Sequence, residues 1–170
     1  MKEYTKYIQQ AKRGDAKAFA RLYEDVYRDL YRFAVYTLKN SHDAEDLVSE
    51  TVMDAWAQIK TLRTDDSFRA WIFKILSNKC RQRLKEYCNK YAEIPEDMPG
   101  EETDRAEALD VQQAFGSLAE EDRLILSLHV FGGYSSREIG EHLHMSDSTV
   151  RSRQKRALDK MRDILENSRR

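Results

Sequence analysis

Proline and glycine are scarce in this sequence, with 2 and 6 among 170 residues. Because both residues interrupt helices, their scarcity favours long helical segments. No segment shows the two-residue alternation of apolar and polar side chains that is typical of a half-buried strand. Hydrophobic residues make up 41% of the chain and charged residues 35%, as in helices with one apolar and one polar face. The composition predicts an all-α protein, without an evident internal repeat.

Cysteines and long apolar runs are also few. Cys80 and Cys88 lie in one helical pattern, about 12 Å apart along the helix, which is too far for a disulfide. No run approaches the ~20 apolar residues that cross a bilayer, and the N-terminal segment MKEYTKYIQQAKRGD is too polar for a signal peptide. We therefore expect a cytoplasmic protein with reduced thiols, no membrane insertion, no metal and no cofactor.

The chain lacks the net positive charge that is typical of a nucleic-acid binder, since its formal charge is -1 and its pI about 6.4. The charge is nevertheless separated into patches. Residues 146–170 carry eight basic and four acidic side chains, and residues 69–90 carry seven basic and one acidic. Residues 42–54 hold five acids and no Lys or Arg, and residues 93–110 hold eight acids and one Arg. Because salt screens charges beyond ~8 Å, each patch acts on its own neighbours.

Apolar periodicity predicts four helices in the N-terminal half, with stripes over residues 4–11, 19–34, 44–59 and 68–84. Residues 89–104 contain both prolines and mostly acids, which is typical of a flexible linker. Further helical stripes cover residues 108–115 and 120–131 and the segment after residue 134. We predict two helical domains, residues 1–88 and 105–170, joined by an acidic linker over residues 89–104.

The segment YSSREIGEHLHMSDSTVRSRQKRAL indicates two helices around a short turn. Ser135 and Glu138 form a capping-box pattern for the first helix, and Ser146 can cap the second. With Val150 toward the core, Ala157, Leu158 and Met161 share its side, as Ile139 and Leu143 do in the first helix. The opposite arc is polar and basic, as in a helix that reads a major groove; it contains Ser148, Thr149, Arg151, Ser152, Lys155 and Arg156, with Arg153 on its flank. An ordinary helical hairpin with a solvated basic face is the alternative.

A second basic segment, SFRAWIFKILSNKCRQRL, combines aromatic and cationic side chains. Bases that leave a duplex stack on aromatic rings beside cations, and the polar loop at residues 62–67 could hold such a base. Phe68 and Trp71 also fit an ordinary core stripe, so Trp71 is interpreted mainly as core. Arg81 and Arg83 are the better DNA candidates.

The segment SHDAEDLVSETVMDAW is acidic and therefore unsuited to DNA. Acids near a helix N-terminus are favoured by the helix dipole, which accounts for Asp43 and Glu45. The dipole does not account for Asp46, Glu50 and Asp54, which repeat every four residues along one ridge. Like charges at this spacing destabilise an isolated helix. The pattern predicts a docking face for a basic protein.

Together these segments resemble the extracytoplasmic-function (ECF) type of bacterial RNA polymerase sigma factor, in the sigma-70 family. DAEDLVSETVMDAW is similar to the family's polymerase-binding helix, and SFRAWIFKILSNKCRQRL to the promoter-melting helix that follows it. YSSREIGEHLHMSDSTVRSRQKRALDKMR is similar to its C-terminal helix-turn-helix. The match spans nearly the whole chain in the family's order.

The resemblance implies a specificity subunit, not an enzyme, whose partners are core RNA polymerase, promoter DNA and an anti-sigma factor. It places at the clamp of the largest polymerase subunit Asp43, Asp46, Leu47, Ser49, Glu50 and Asp54. It assigns to the minus-ten element Leu62, Arg63, Ser67, Trp71, Lys74, Asn78, Arg81 and Arg83. It assigns to the minus-35 element Ser148, Thr149, Arg151, Ser152, Arg153, Lys155 and Arg156.

The chain departs from the family pattern at three places. The pair Leu118-Ala119 stands where Leu-Pro is frequent, and Ser49 stands where Gln or Arg is common. His144 occupies the position of a frequent glycine in the helix-turn-helix, so it is expected to adopt a positive φ.

Two other functions are compatible with parts of the chain. A conventional helix-turn-helix regulator would use only the C-terminal half, without stable association with polymerase, and leaves the acidic helix unexplained. An N-terminal enzyme or ligand-binding domain would require a nucleophile–base pair, a metal cluster or a phosphate-binding glycine loop, and none of these patterns occurs in the sequence.

Overall fold

The computed structural model describes residues 2–63, 68–89 and 105–169. Their regular structure is helical, as predicted, with a 3-10 turn at Ile59–Thr61. Within these ranges the helices are α1 (Lys2–Lys12), α2 (Ala16–Glu24), α3 (Tyr27–Leu38), α4 (Ser41–Gln58), α5 (Phe68–Asn89), α6 (Arg105–Gly116), α7 (Glu120–Val130), α8 (Ser136–Leu143) and α9 (Asp147–Ser168).

The predicted helix over residues 19–34 is two helices, α2 and α3, so this boundary was wrong. Asp15 begins α2 by accepting hydrogen bonds from the backbone N–H groups of Lys17 (2.9 Å) and Ala18 (3.2 Å). The chain leaves the helix at Asp25 and Val26, and α3 starts at Tyr27. Val26 is nevertheless buried, so the apolar stripe continues across the break and hides it in the sequence.

The core of the N-terminal half lies between α3, α4 and α5. The rings of Phe33 and Phe73 meet edge to face with centroids 5.7 Å apart, and those of Phe19 and Phe68 at 5.9 Å. These arrangements are favourable for the ring quadrupoles. The buried hydroxyl of Thr51 donates to the carbonyl of Leu47 at 2.7 Å and is therefore satisfied inside its own helix.

In the C-terminal half, α8 and α9 pack against α7 through the predicted side chains Ile139, Leu143, Val150 and Ala157, all of which are buried. Leu158 was predicted to share this side but is 50% exposed. The core stripe of α9 is narrower than expected, because at 100° per residue Leu158 turns away from Ala157.

The helix caps at Ser135 and Ser146, at the starts of α8 and α9, form as predicted. Ser135 and Glu138 form a capping box, and the hydroxyl of Ser146 accepts the N–H of Thr149 at 3.1 Å. Hydrogen bonds from Ser135 lower the pKa of the Glu138 carboxyl. His144 ends α8 at φ 58°, the left-handed conformation expected from its position. A Cβ on Gly140 would come within 2.6 Å of the Met145 carbonyl oxygen, so this close approach requires glycine.

The two halves are in contact, with α3 and α5 packed against α7. The predicted linker begins at Asn89, which is the last residue of α5, and the rest of it lies outside the described residues. No helix in the described ranges is long and apolar enough to span a membrane. The same ranges contain no cluster of His, Cys, Asp or Glu side chains that could hold a metal ion.

Replacing His144 with glycine is expected to stabilise the protein. A side chain in the left-handed region costs about 1–2 kcal/mol, and the greater backbone freedom of glycine in the unfolded chain offsets about 0.5–1 kcal/mol of the gain. We expect His144→Gly to raise the free energy of unfolding, measured by urea titration, by about 0.5–1 kcal/mol. The matched control is Glu141→Gly, inside α8, which should lower it by about 1 kcal/mol. Destabilisation by His144→Gly would show that the turn holds no such strain.

Candidate nucleic-acid interface

The predicted DNA-reading arc of α9 is exposed to solvent. Ser146 caps the helix, and its hydroxyl also contacts the hydroxyls of Ser148 (3.0 Å) and Thr149 (2.7 Å). Among the described residues Arg151 forms an exposed ion pair with Asp147 at 3.3 Å, which a phosphate or a base edge can replace. All six predicted members of the arc are exposed: Ser148, Thr149, Arg151, Ser152, Lys155 and Arg156.

Arg153 differs from these side chains because it is half-buried and paired with α7. Its guanidinium lies 2.7 Å from a carboxylate oxygen of Glu121 and 3.0 Å from one of Asp122. Both acids stand in the first turn of α7, so the pairing joins the recognition helix to its support. The sequence did not predict these internal partners of Arg153.

Only part of the basic face of α5 is exposed to solvent. Lys74 and Asn78 are exposed and Arg81 is half-buried. Trp71 is half-buried against the core, with its ring 5.9 Å from that of Phe68, as its interpretation as mainly core predicted. Arg83 was predicted to lie on the exposed side, but it pairs with Asp43 at 2.7 Å and with Glu86 at 3.1 Å.

The loop before α5 contains three predicted minus-ten residues with different surroundings. Leu62 is 1% exposed, and its side chain belongs to the core that supports the loop. Arg63 is exposed. Ser67 lies outside the described residues.

The acidic face of α4 is partly neutralised by α5, a pairing that the sequence did not reveal. Lys79 lies 2.8 Å from Asp54 and 3.3 Å from Glu50, and the hydrogen bond that Lys79 donates to Asp54 raises the pKa of Lys79. Asp43 pairs with Arg83 and also accepts the hydroxyl of Tyr87. These carboxylates therefore have internal partners, although the side chains of Glu50 and Asp54 remain about half exposed.

The surface of α4 that remains open is smaller and more apolar than predicted. Asp46 and Ser49 are exposed, and in the described part of the chain Asp46 makes no ion pair. Leu47 was predicted to face a partner but is 3% exposed and belongs to the core. Met53 is 65% exposed on the same ridge and was missed. Its spacing of seven residues from Asp46 and three from Glu50 is the signal that could have identified it.

Comparisons with known proteins agree with this arrangement. The family model for sigma-70 region 2 matches residues 22–87, and that for sigma-70 region 4 matches residues 114–163. The first range covers α4 and all but the last two residues of α5, and the second covers α8 and most of α9.

Two curated relatives match over nearly their whole length. RNA polymerase sigma factor NccH of Alcaligenes xylosoxydans xylosoxydans is 30% identical over 171 residues, which cover 93% of this chain and 92% of that protein. ECF RNA polymerase sigma factor SigW of Bacillus subtilis is 28% identical over 179 residues, covering 94% and 95%.

A solved structure shares the fold of both halves. The structure of CnrH in complex with the cytosolic domain of CnrY matches with a TM-score of 0.72 and 25% identity, covering 97% of this chain and 98% of that one. Taken with the exposed basic arc and the acidic helix, these matches show that the chain belongs to the sigma-70 family of RNA polymerase sigma factors, among those of the ECF type.

Proposed function

We propose that the two halves of this sigma factor divide promoter recognition between them. The N-terminal half would bind core polymerase through α4 and open the minus-ten element with α5, and the C-terminal half would bind the minus-35 element with α9. The observation that carries this proposal is the exposed basic arc of α9, which is built on a capped helix-turn-helix and separated from the acidic face of α4.

The proposed domains are residues 1–88 and 105–170, with residues 89–104 as the linker. The two family matches fall inside these two ranges, which supports the division. Because the catalytic centre of transcription belongs to the polymerase, we infer that the chain itself carries out no catalytic step. We place it in the cytoplasm, where the polymerase acts.

For the minus-35 element we propose direct contacts from the exposed arc. Ser148, Thr149 and Ser152 are small enough to let the start of α9 approach base edges. Arg151, Lys155 and Arg156 can then reach base edges or phosphates. Arg153 is assigned the separate role of fixing the angle between α9 and α7.

For the minus-ten element the exposed side chains Arg63, Lys74 and Asn78 support a DNA contact, with Arg81 at the edge of the same face. We keep Ser67 as a proposed contact on the strength of the resemblance. Trp71 contributes mainly by packing, because its ring contacts Phe68. Arg83 is proposed to support α4 through Asp43 in place of contacting DNA.

For polymerase we propose a docking surface formed by Asp46, Ser49, Glu50, Met53 and Asp54. An apolar side chain surrounded by acids is typical of an interface with a desolvated centre and a polar rim. Lys79 would hold the carboxylates of Glu50 and Asp54 in place. An anti-sigma factor is a further proposed partner, since the similar protein CnrH was solved with the cytosolic domain of CnrY.

Replacing Arg151 with alanine is expected to weaken promoter-specific transcription while leaving polymerase binding intact. Loss of one base or phosphate contact costs about 1–3 kcal/mol, or roughly 5- to 150-fold in promoter affinity. The measurement is in vitro transcription with core polymerase, on promoters selected from a randomised library. Arg162→Ala is the matched control, because Arg162 lies on the same helix with a similar exposure, 67% against 65%. Normal transcription by Arg151→Ala would show that the groove-facing arc is misassigned.

Reversing the charge of Asp46 is expected to weaken association with core polymerase. Opposed like charges at an interface cost several kcal/mol, so we expect a loss of at least about 2 kcal/mol for Asp46→Lys and more for Asp46→Lys with Glu50→Lys. Co-elution and titration with purified core measure the effect, while DNA binding by the full chain should persist.

The control for this charge reversal is Asp163→Lys with Glu166→Lys, which changes two exposed acids of α9 instead. The single variant Asp46→Lys is easier to interpret than the double variant, because Glu50→Lys also removes an ion-pair partner of Lys79. Unchanged affinity for core in the Asp46 variant would refute the docking assignment.

The orienting role of Arg153 can be distinguished from a phosphate contact by its salt dependence. If Arg153 orients α9, Arg153→Ala should lower affinity for all sequences without changing the slope of log K against log salt. Glu121→Gln with Asp122→Asn should then weaken binding as well. A phosphate contact predicts the reverse: the slope would fall by about 1, and removing the two acids would strengthen binding.

A further inference from the structure

The start of the recognition helix carries an acid that the minus-35 assignment leaves unexplained. Asp147 is the first residue of α9 and lies beside the exposed basic arc, where it would repel the phosphates of bound DNA. The helix dipole favours an acid in the first turn, which accounts for the presence of a carboxylate but not for its orientation. The contacts of its two oxygens indicate a further role.

One oxygen of Asp147 accepts a hydrogen bond from α8. The hydroxyl of Ser136, the first residue of α8, donates to Oδ1 at 2.5 Å. Ser136 is not needed to cap α8, because Ser135 caps it through the capping box with Glu138. The bond therefore joins the starts of the two helices of the helix-turn-helix, 11 residues apart in the chain.

The other oxygen of Asp147 faces Arg151. The Nη2 atom of Arg151 lies 3.3 Å from Oδ2, one helical turn away. Because a guanidinium has N–H donors on more than one edge, Arg151 can keep this carboxylate on one edge and present another to a base or a phosphate. The carboxylate is thus a bridge between Ser136 of α8 and a cation of the exposed arc.

The backbone that carries Asp147 is fixed by a close approach of α8 and α9. The N–H of Met145 donates to the carbonyl of Gly140 at 2.9 Å. A Cβ on Gly140 would lie 2.6 Å from the Met145 carbonyl oxygen and 3.5 Å from the Asp147 nitrogen. With its backbone fixed and one oxygen bound to α8, the carboxylate gives Arg151 a defined direction relative to both helices.

Arg156, another cation of the same arc, has a different kind of contact. Its Nε donates to the carbonyl of Ser152 at 3.4 Å, which lies inside α9 itself. The bridge through Asp147 instead orders Arg151 against a second helix before DNA arrives. Ordering a flexible side chain on binding costs about two- to tenfold in affinity, a cost that an arginine already held in place avoids.

We propose that Asp147, held by Ser136, positions the guanidinium of Arg151 and thereby determines the base preference at the position of the minus-35 element that Arg151 reads. Asp147 and Ser136 are positioning residues, because they act through Arg151 and do not themselves contact DNA. This inference rests on the proposed function of α9, since it requires Arg151 to contact the promoter.

Two other roles of the carboxylate predict different results. If DNA displaced Asp147 from Arg151, the carboxylate would only repel phosphates, and its removal would strengthen binding to every sequence. If Asp147 itself accepted a hydrogen bond from the amino group of a cytosine, its removal would relax a base preference whether or not Arg151 was present. Dependence on Arg151 distinguishes the proposed role from both.

The base preference can be measured with the full-length protein bound to purified core polymerase. Promoter complexes are selected from a library that is randomised in the minus-35 element, and the bound sequences are counted. Asp147→Asn and Ser136→Ala should each lower the preference by about two- to tenfold at the position that Arg151→Ala affects. Preferences at the other positions should stay as in the wild type. Ser136→Thr keeps a hydroxyl and should retain the wild-type preference.

Double variants test whether the effect passes through Arg151. In the Arg151→Ala background, Asp147→Asn and Ser136→Ala should have no further effect on base preference, so the losses are strongly non-additive. Asp159→Asn is the matched control and should leave the preference unchanged. Asp159 pairs with Arg162 on the same helix at 3.6 Å, and its side chain is 49% exposed against 44% for Asp147.

Wild-type base preference in either Ser136→Ala or Asp147→Asn would overturn the proposal. A change in affinity that is uniform over all sequences would also overturn it, as would an effect that persists in the Arg151→Ala background. Failure of the proposed function gives a different result, since Arg151→Ala would then itself transcribe normally. If Arg151→Ala loses promoter recognition while the other two variants keep the wild-type preference, α9 stays assigned to the minus-35 element and only the positioning role fails.

Discussion

Burial of one continuous face of α5 is the constraint on which the other features depend. Its fully or nearly buried positions recur every four residues, at Phe68, Ile72, Leu76, Cys80 and Leu84. Four residues turn a helix by about 40° beyond one full turn, so the buried stripe winds through about 160° along these positions. The buried side of α5 near Phe68, which packs on Phe19 of α2, is therefore not the side that is buried near Leu84. One helix can in this way pack against both halves and still leave cations such as Lys74 exposed to solvent.

This winding explains which features could be predicted from the sequence. Local chemistry was predictable, because the caps at Ser135 and Ser146 depend on residues within three positions of each other, whereas the left-handed His144 was expected from the family resemblance. The exposed arc of α9 was also predictable from the helical spacing of its apolar side chains. The wrong assignments depend on contacts distant in the chain: a straight stripe placed Arg83 on the open side, whereas the wound stripe brings it to Asp43. The burial of Leu62 and the ion pairs of Arg153 were not predicted for the same reason, since the core and α7 lie beyond any local pattern.

The near-zero net charge of the chain also has a structural basis. The acidic α4 and the basic α5 are neighbours whose side chains form ion pairs, and the acids at the start of α7 hold Arg153. Many of the acidic and basic side chains therefore neutralise each other in ion pairs within the fold. Exposed basic charge remains on α9 and exposed acidic charge on a short ridge of α4, so each surface can attract its own ligand without a field that covers the whole molecule.

The environment of the two cysteines has a consequence for redox chemistry. Burial strongly raises the pKa of the Cys80 thiol, and the neighbouring Glu120 carboxylate raises that of Cys88. Oxidants and electrophiles react with the thiolate, which both sites disfavour. The chain is therefore a poor direct sensor of peroxide or disulfide stress.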